Sequence, residues 1–142
     1  LNKDKNGLVI DASIDNLNSN KSSLDRVFMI ESYHKLYSDI SEPKTDAVQK
    51  FLKEVRHALK PGGLVIVIDH DAEKGSSIAT ASSINRLSDE IVMSDMKNAG
   101  FEFVDNIHIL KDDWEDDLTI SAFDPSVIGS TSRFVHKYRS PN

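Results

Sequence analysis

Five consecutive apolar residues, Leu64-Val65-Ile66-Val67-Ile68, lie between Pro61-Gly62-Gly63 and Asp69-His70-Asp71. A run with no polar alternation predicts a strand buried on both faces, the habit of a central parallel strand in an α/β sheet. Val27-Phe28-Met29-Ile30, after Asp25-Arg26, reads the same way. Between the two runs, Val48, Phe51, Leu52, Val55, Ala58 and Leu59 form one apolar stripe with helical spacing. Pro43 with Thr45 or Asp46 marks the start of that helix, and Lys60-Pro61-Gly62-Gly63 marks its stop. Strand, helix and strand at this spacing predict a right-handed crossover between neighbouring parallel strands.

A second unit follows. Gly75 to Ser83 is small and polar and reads as a mobile loop. Leu87, Ile91, Val92, Met96 and Ala99 predict a shorter helix that ends at Gly100, a glycine in the position that closes helices. Phe101 to Leu110 and Arg133 to Tyr138 read as strands, with His57 in the first helix and His108 in the former strand as structural residues. Lys111 to Asp117 reads as a solvated acidic turn containing Trp114. Upstream, Leu8-Val9-Ile10 is a short strand and Asn16 to Ser23 a polar connection. The 142 residues are one domain's worth and read as a single α/β domain.

Composition narrows the partners. Lys+Arg of 17 against Asp+Glu of 23 gives a net charge of -6, which argues against a nucleic-acid backbone or an anionic membrane surface. No apolar run approaches the roughly 20 residues that span a bilayer. With 0 Cys there is no disulfide frame, zinc knuckle or thiol nucleophile. The chain begins at Leu1 without a leader-like segment, so the expectation is a removed leader or a piece of something longer.

Taken in order, Asp25-Arg26-Val27-Phe28, Tyr33-His34, Arg56-His57-Ala58-Leu59-Lys60-Pro61-Gly62-Gly63, Leu64 to Asp69 and Asn98-Ala99-Gly100-Phe101 resemble the class I S-adenosylmethionine-dependent methyltransferases. The resemblance is closest to a bacterial group of methyltransferases. That group typically carries Tyr-His-Asp-Leu-Tyr after strand four, Asp-His after strand five and Thr-Asp-Arg-Phe near the end. Here the corresponding stretches are Tyr33-His34-Lys35-Leu36-Tyr37, Asp69-His70 and Thr131-Ser132-Arg133-Phe134. The resemblance implies a partial Rossmann-like sheet, strands 3 to 7 of a 3-2-1-4-5-7-6 order, with helices on both faces. The glycine-rich turn that normally receives the cofactor has no counterpart, since none of the 6 glycines stands in a G-x-G-x-G arrangement. The expectation is therefore the C-terminal half of a methyltransferase domain, binding S-adenosylmethionine weakly or not at all by itself.

Candidate chemistry gathers where two strand ends meet. After the first apolar run comes Glu31-Ser32-Tyr33-His34, and after the second Asp69-His70-Asp71. On the resemblance, His34, Tyr33 and His70 are the catalytic candidates: His34 in the pKa range of a general base, Tyr33 able to stack on substrate or adenine. Asp11, Glu31 and Ser32 are the cofactor-binding candidates, and Asp69 and Arg86 the substrate-binding ones. Competing readings are structural: Tyr33 and His34 opening a helix, Asp69 satisfied in a strand-end turn, Asp11 a solvated turn acid. Asn85-Arg86 stands where the related group shows His-Arg, so no base is expected from that loop. No metal is expected, because adjacent residues rarely converge on one ion.

The leading functional expectation is a methyltransferase-type domain with a small-molecule acceptor and a cytoplasmic location. The rivals are a non-catalytic remnant acting through its sheet edge and a nicotinamide-dependent oxidoreductase, which needs the same glycine turn. An uncovered edge beside Val27 to Ile30 predicts a homodimer, formed edge to edge or by exchange of the Leu8 to Ile10 strand.

Overall fold

The computed structural model describes residues 2–4, 7–9, 17, 20–38, 44–111 and 116–142. Asp11, Pro43 and Trp114 lie outside them, as does Ile10. In chain order the elements are β1 (Asn2–Asp4), β2 (Gly7–Val9), β3 (Leu24–Ile30), α1 (Lys35–Ser38), α2 (Lys44–Ala58), β4 (Leu59–His70), α3 (Ala79–Ser83), α4 (Asp89–Asn98), β5 (Glu102–Asn106) and β6 (Arg133–Arg139).

The main sheet has the order β3-β4-β6-β5. β3 runs parallel to β4 with Val27 opposite Val65 and Ile30 opposite Ile68. β6 enters antiparallel between β4 and β5. Strands 4 to 7 of the partial methyltransferase sheet expected from the motifs are thus present, the last strand inserted as the 5-7-6 part of the order requires. β1 and β2 pair with each other in a separate antiparallel ribbon, with Lys3 opposite Leu8, so the Leu8 segment stands outside the main sheet.

One face of the sheet is dry. Met29, Val65, Val67, Phe134 and Tyr138 join Val48, Leu52 and Val55 of α2 and Val92 and Met96 of α4 in a single apolar cluster. The opposite face toward β3 is different: Phe28 is 60% and Ile30 56% exposed, while Ile66 and Ile68 are half-buried. This corrects the expectation of strands buried on both faces. The apolar run is as long as a doubly covered strand needs, but among the described residues α2 and α4 supply cover on one side only.

Three local expectations also change. Pro61-Gly62-Gly63 does not precede the strand but lies within β4, where Gly62 takes φ +74° and backbone bonds link Gly62 N to Ser140 O and Ser140 N to Gly63 O. The loop read across Gly75 to Ser83 contains α3, packed under α1, with Ala81 fully buried. β5 stops at Asn106, so His108 lies beyond it and is exposed. Gly100 behaves as expected: with φ +85° it follows α4, and Phe101 N reaches back to Met96 O at 2.9 Å.

The asymmetry between the faces has a measurable consequence. In urea unfolding, Leu52→Ala should cost about 2–5 kcal/mol, because it leaves a cavity in the cluster. Ile30→Ala should cost under about 1 kcal/mol, because the side chain already faces solvent.

Candidate functional site at the carboxyl ends of the parallel strands

Parallel strands bring their carboxyl ends to one edge, and the loops leaving them there are free to carry chemistry. β3 leaves through Glu31, which has φ +47°, a left-handed backbone that a glutamate adopts only under constraint. Two contacts hold it. Its N–H donates to Ile68 O at 2.7 Å, and its Oε1 accepts from Arg133 Nη1 at 2.7 Å. The bend turns the chain back over the end of β4, where His34 meets Asp69.

Asp69 is fully buried and organises this junction. Its Oδ2 accepts from His34 N at 2.8 Å, and its Oδ1 pairs with His34 Nδ1 at 2.8 Å. The same Oδ1 accepts from His70 N at 2.9 Å. A carboxylate only accepts, so Asp69 places the His34 ring proton on Nδ1. The His34 ring is fully buried and lies 6.0 Å, centroid to centroid, from that of His70.

His70 is only 4% exposed. Its Nδ1 lies 2.8 Å from Thr131 Oγ1, and the ring of Phe123 meets it edge-on at 5.8 Å. Its Nε2 is buried without a hydrogen-bond partner among the described residues. Burial pushes the His70 pKa below its ordinary value of 6.5, against the upward pull of Asp69 and Glu31. Asp71, next along, is pushed up by burial, although Lys111 Nζ at 3.0 Å and Ser132 Oγ at 3.1 Å act the other way.

Tyr33 and Arg86 sit elsewhere. Tyr33 is fully buried in the core, and its hydroxyl donates to Asp95 Oδ2 at 3.1 Å. Tyr37 donates to the same oxygen at 2.6 Å, so α4 anchors the turn that carries His34 through two phenols. Burial raises the pKa values of Tyr33 and Asp95. Arg86 is also fully buried. Its Nη1 and Nη2 form a bidentate pair with Asp116 at 2.8 Å, Nε donates to Ile120 O, and Nη1 also donates to Asp71 O. Asn85 before it has φ +56°, a backbone that Asn tolerates better than most residues. Ser32 is half-buried beside Glu31, and Asp11 lies outside the described residues.

Sequence reading missed four contributors. Thr131 and Arg133 belong to a stretch noted for its resemblance but given no role; the structure folds it against His70 and Glu31. Asp116 was read as part of a solvated acidic loop, whereas its side chain is fully buried against Arg86 and also accepts from Ser132 N at 2.7 Å. Phe123 carried no signal, because a lone aromatic in a Ser/Asp/Pro stretch reads as loop.

The comparisons agree with this architecture. The methyltransferase-domain family model matches residues 1–67. Among solved structures, a SAM-dependent methyltransferase from Aquifex aeolicus superposes with a TM-score of 0.59 at 18% identity, covering 95% of this chain and 55% of that one. One from Methanosarcina mazei gives 0.60 at 10% identity, covering 92% and 65%. The Burkholderia thailandensis 1,6-didemethyltoxoflavin-N1-methyltransferase, with bound 1,6-didemethyltoxoflavin and S-adenosylhomocysteine, gives 0.58 at 12% identity, covering 94% and 50%. The chain thus spans between half and two-thirds of the length of these structures. No sequence among the curated proteins matches it. The fold is that of the class I S-adenosylmethionine-dependent methyltransferases, and the resemblance to that family read from the ordered motifs is borne out. Among the described residues no helix is long and apolar enough to cross a membrane.

Three measurements check the electrostatics. An imidazole that stays neutral when folded binds fewer protons than in the unfolded chain, so its contribution to stability falls as pH drops below about 6.5. Relative to His70→Gln, the wild type should lose stability over that range, and NMR titration should find His70 below its ordinary pKa. Asp69→Ala removes three accepted hydrogen bonds in a buried setting and should cost about 3 kcal/mol in urea unfolding.

Proposed function

We propose that this chain is the acceptor-binding portion of an S-adenosylmethionine-dependent methyltransferase that acts on a small molecule. The observation that carries the reading is the Asp69 junction, which ties the carboxyl ends of β3 and β4 together and sets two imidazoles side by side. That placement suits proton handling at an acceptor. S-adenosylmethionine, when bound, supplies a methyl group on a sulfonium, so the protein's work is positioning and, where the acceptor carries a proton, accepting it.

His34 and His70 are the proton-handling candidates, with Asp69 orienting the first and Thr131 the second. Tyr33 acts by position, holding the His34 turn to Asp95. Arg86 acts likewise, pinning the chain around Asp116. Glu31 and Ser32 form the rim toward the cofactor. The fit to the cofactor is one-sided: the orphaned Nε2 of His70 suits the acceptor side, while no glycine-rich turn is present for the cofactor's amino-acid end. The shared length with the solved methyltransferases supports a half-domain. The 1,6-didemethyltoxoflavin bound in the Burkholderia structure supports a small-molecule acceptor.

The exposed Phe28 and Ile30 on a strand with an unpaired edge among the described residues support self-association through β3. Sedimentation equilibrium at micromolar concentration should show a dimer. A mass of 15.9 kDa without concentration dependence ends that part of the reading.

The cofactor reading is tested by titrating S-adenosylhomocysteine into the 15N-labelled chain. Amide shifts are expected at Glu31 to His34 and Asp69 to Asp71, with a dissociation constant in the millimolar range. Shifts that fall elsewhere on the chain overturn the methyltransferase reading, and a micromolar constant overturns the half-domain part of it.

A further inference from the structure

The orphaned nitrogen of His70 asks what it is for. A buried ring nitrogen left without a partner costs about 1–3 kcal/mol, and native structures rarely leave one unexplained. The Thr131 hydroxyl both donates and accepts, so it serves either ring tautomer at Nδ1, and Nε2 is left as a lone pair that needs a donor or as an N–H that needs an acceptor. Besides His34, the ring packed against this imidazole is Phe123, edge-on at an interplanar angle of 79° yet itself 49% exposed. An aromatic ring half in water is a poor permanent cover, because leaving it leaves little apolar area behind.

The chain around Phe123 is tied down. Asp116 is fixed by Arg86 and Ser132 N, Ala122 N donates to Ile84 O at 2.9 Å, and Thr131 is held at His70. The charged groups near His70 are already paired. Glu31 is paired with Arg133 and Asp71 with Lys111, so a charged ligand meets opposite charges that are already engaged. His70 lies on the same strand face as Ile66 and Ile68, continuing toward the exposed Ile30.

We propose that Phe123 stands in for the acceptor: its ring occupies the slot of an uncharged, planar aromatic or heteroaromatic ring whose hydroxyl or ring nitrogen hydrogen-bonds to His70 Nε2. Phe123 is then the specificity-determining residue of the site. A ring replaces its edge-on contact, and a ring with a polar group also satisfies the nitrogen. This rests on the methyltransferase reading for the word acceptor, though the binding slot can be tested without it.

The test uses phenol and toluene on the 142-residue chain, followed by NMR of amides and of the His70 ring nitrogens. Phenol should perturb His70 Nε2 and the Phe123 amide. F123A, which empties the slot, should bind phenol about tenfold tighter than wild type, with a much smaller gain for toluene. F123L, which keeps an apolar cover, should behave as wild type. The inference is overturned if F123A gains nothing, if toluene gains as much as phenol, or if the shifts fall instead around Met93 and Phe103. S-adenosylhomocysteine is titrated into the same samples. Its shifts at Glu31 to His34 and Asp69 to Asp71 without a phenol effect sink the slot and leave the methyltransferase reading intact; a phenol effect with S-adenosylhomocysteine shifts elsewhere on the chain keeps the slot as an aromatic-binding site and removes that reading.

Discussion

Everything at the functional end of this molecule depends on one buried carboxyl group. Asp69 terminates the central strand and accepts from the main chain and ring of His34 and from the main chain of His70. A buried carboxyl is costly unless its acceptor positions are filled, and here three donors fill them. The geometry is therefore reciprocal. Asp69 is tolerated because the turn after β3 comes back to it, and that turn takes its strained form at Glu31 because Asp69, Ile68 and Arg133 hold it there.

A second buried network does for the late loops what Asp69 does for the early one. The side chains of Arg86 and Asp116 are both fully buried and paired through two parallel bonds. Such a pair adds little net stability over an apolar replacement, but removing one partner strands the other charge. Its value lies in placement. The leftover donors and acceptors of the pair reach Ile120 O, Asp71 O and Ser132 N, which fixes where the chain between Asp116 and Thr131 begins and ends. Thr131 and Phe123 reach His70 from that chain.

How much of this could be read from residues alone follows from the range of the forces involved. Val27 to Ile30, Leu64 to Ile68 and the α2 stripe were legible because each is a local apolar pattern with local stop signals. The insertion of Arg133–Arg139 between β4 and β5 was legible only through resemblance, since its strand pattern says nothing of its neighbours. Burial on both faces was misread because a pattern states what a strand can bury against, not whether anything is there to cover it. The site divides the same way. His34, Asp69 and His70 sit within motifs, whereas the Arg86–Asp116 pair and the Thr131–His70 bond join residues 30 and 61 positions apart. An acid in a run such as Lys111 to Asp117 looks solvated until a cation from another loop is placed beside it.

The uneven sheet gives the site its direction. On the covered face, Tyr33 is drawn down to Asp95 between α1 and α4, so its phenol serves the scaffold. His70 follows Ile66 and Ile68 on the other face, where nothing comparable to α2 and α4 is packed among the described residues. Alternation along β4 puts Asp69 on the face covered by α2 and α4 and His70 on the other by a single residue step. One strand end therefore supplies an inward acceptor that fixes the scaffold and, one residue on, an imidazole on the opposite face whose Nε2 has no hydrogen-bond partner among the described residues.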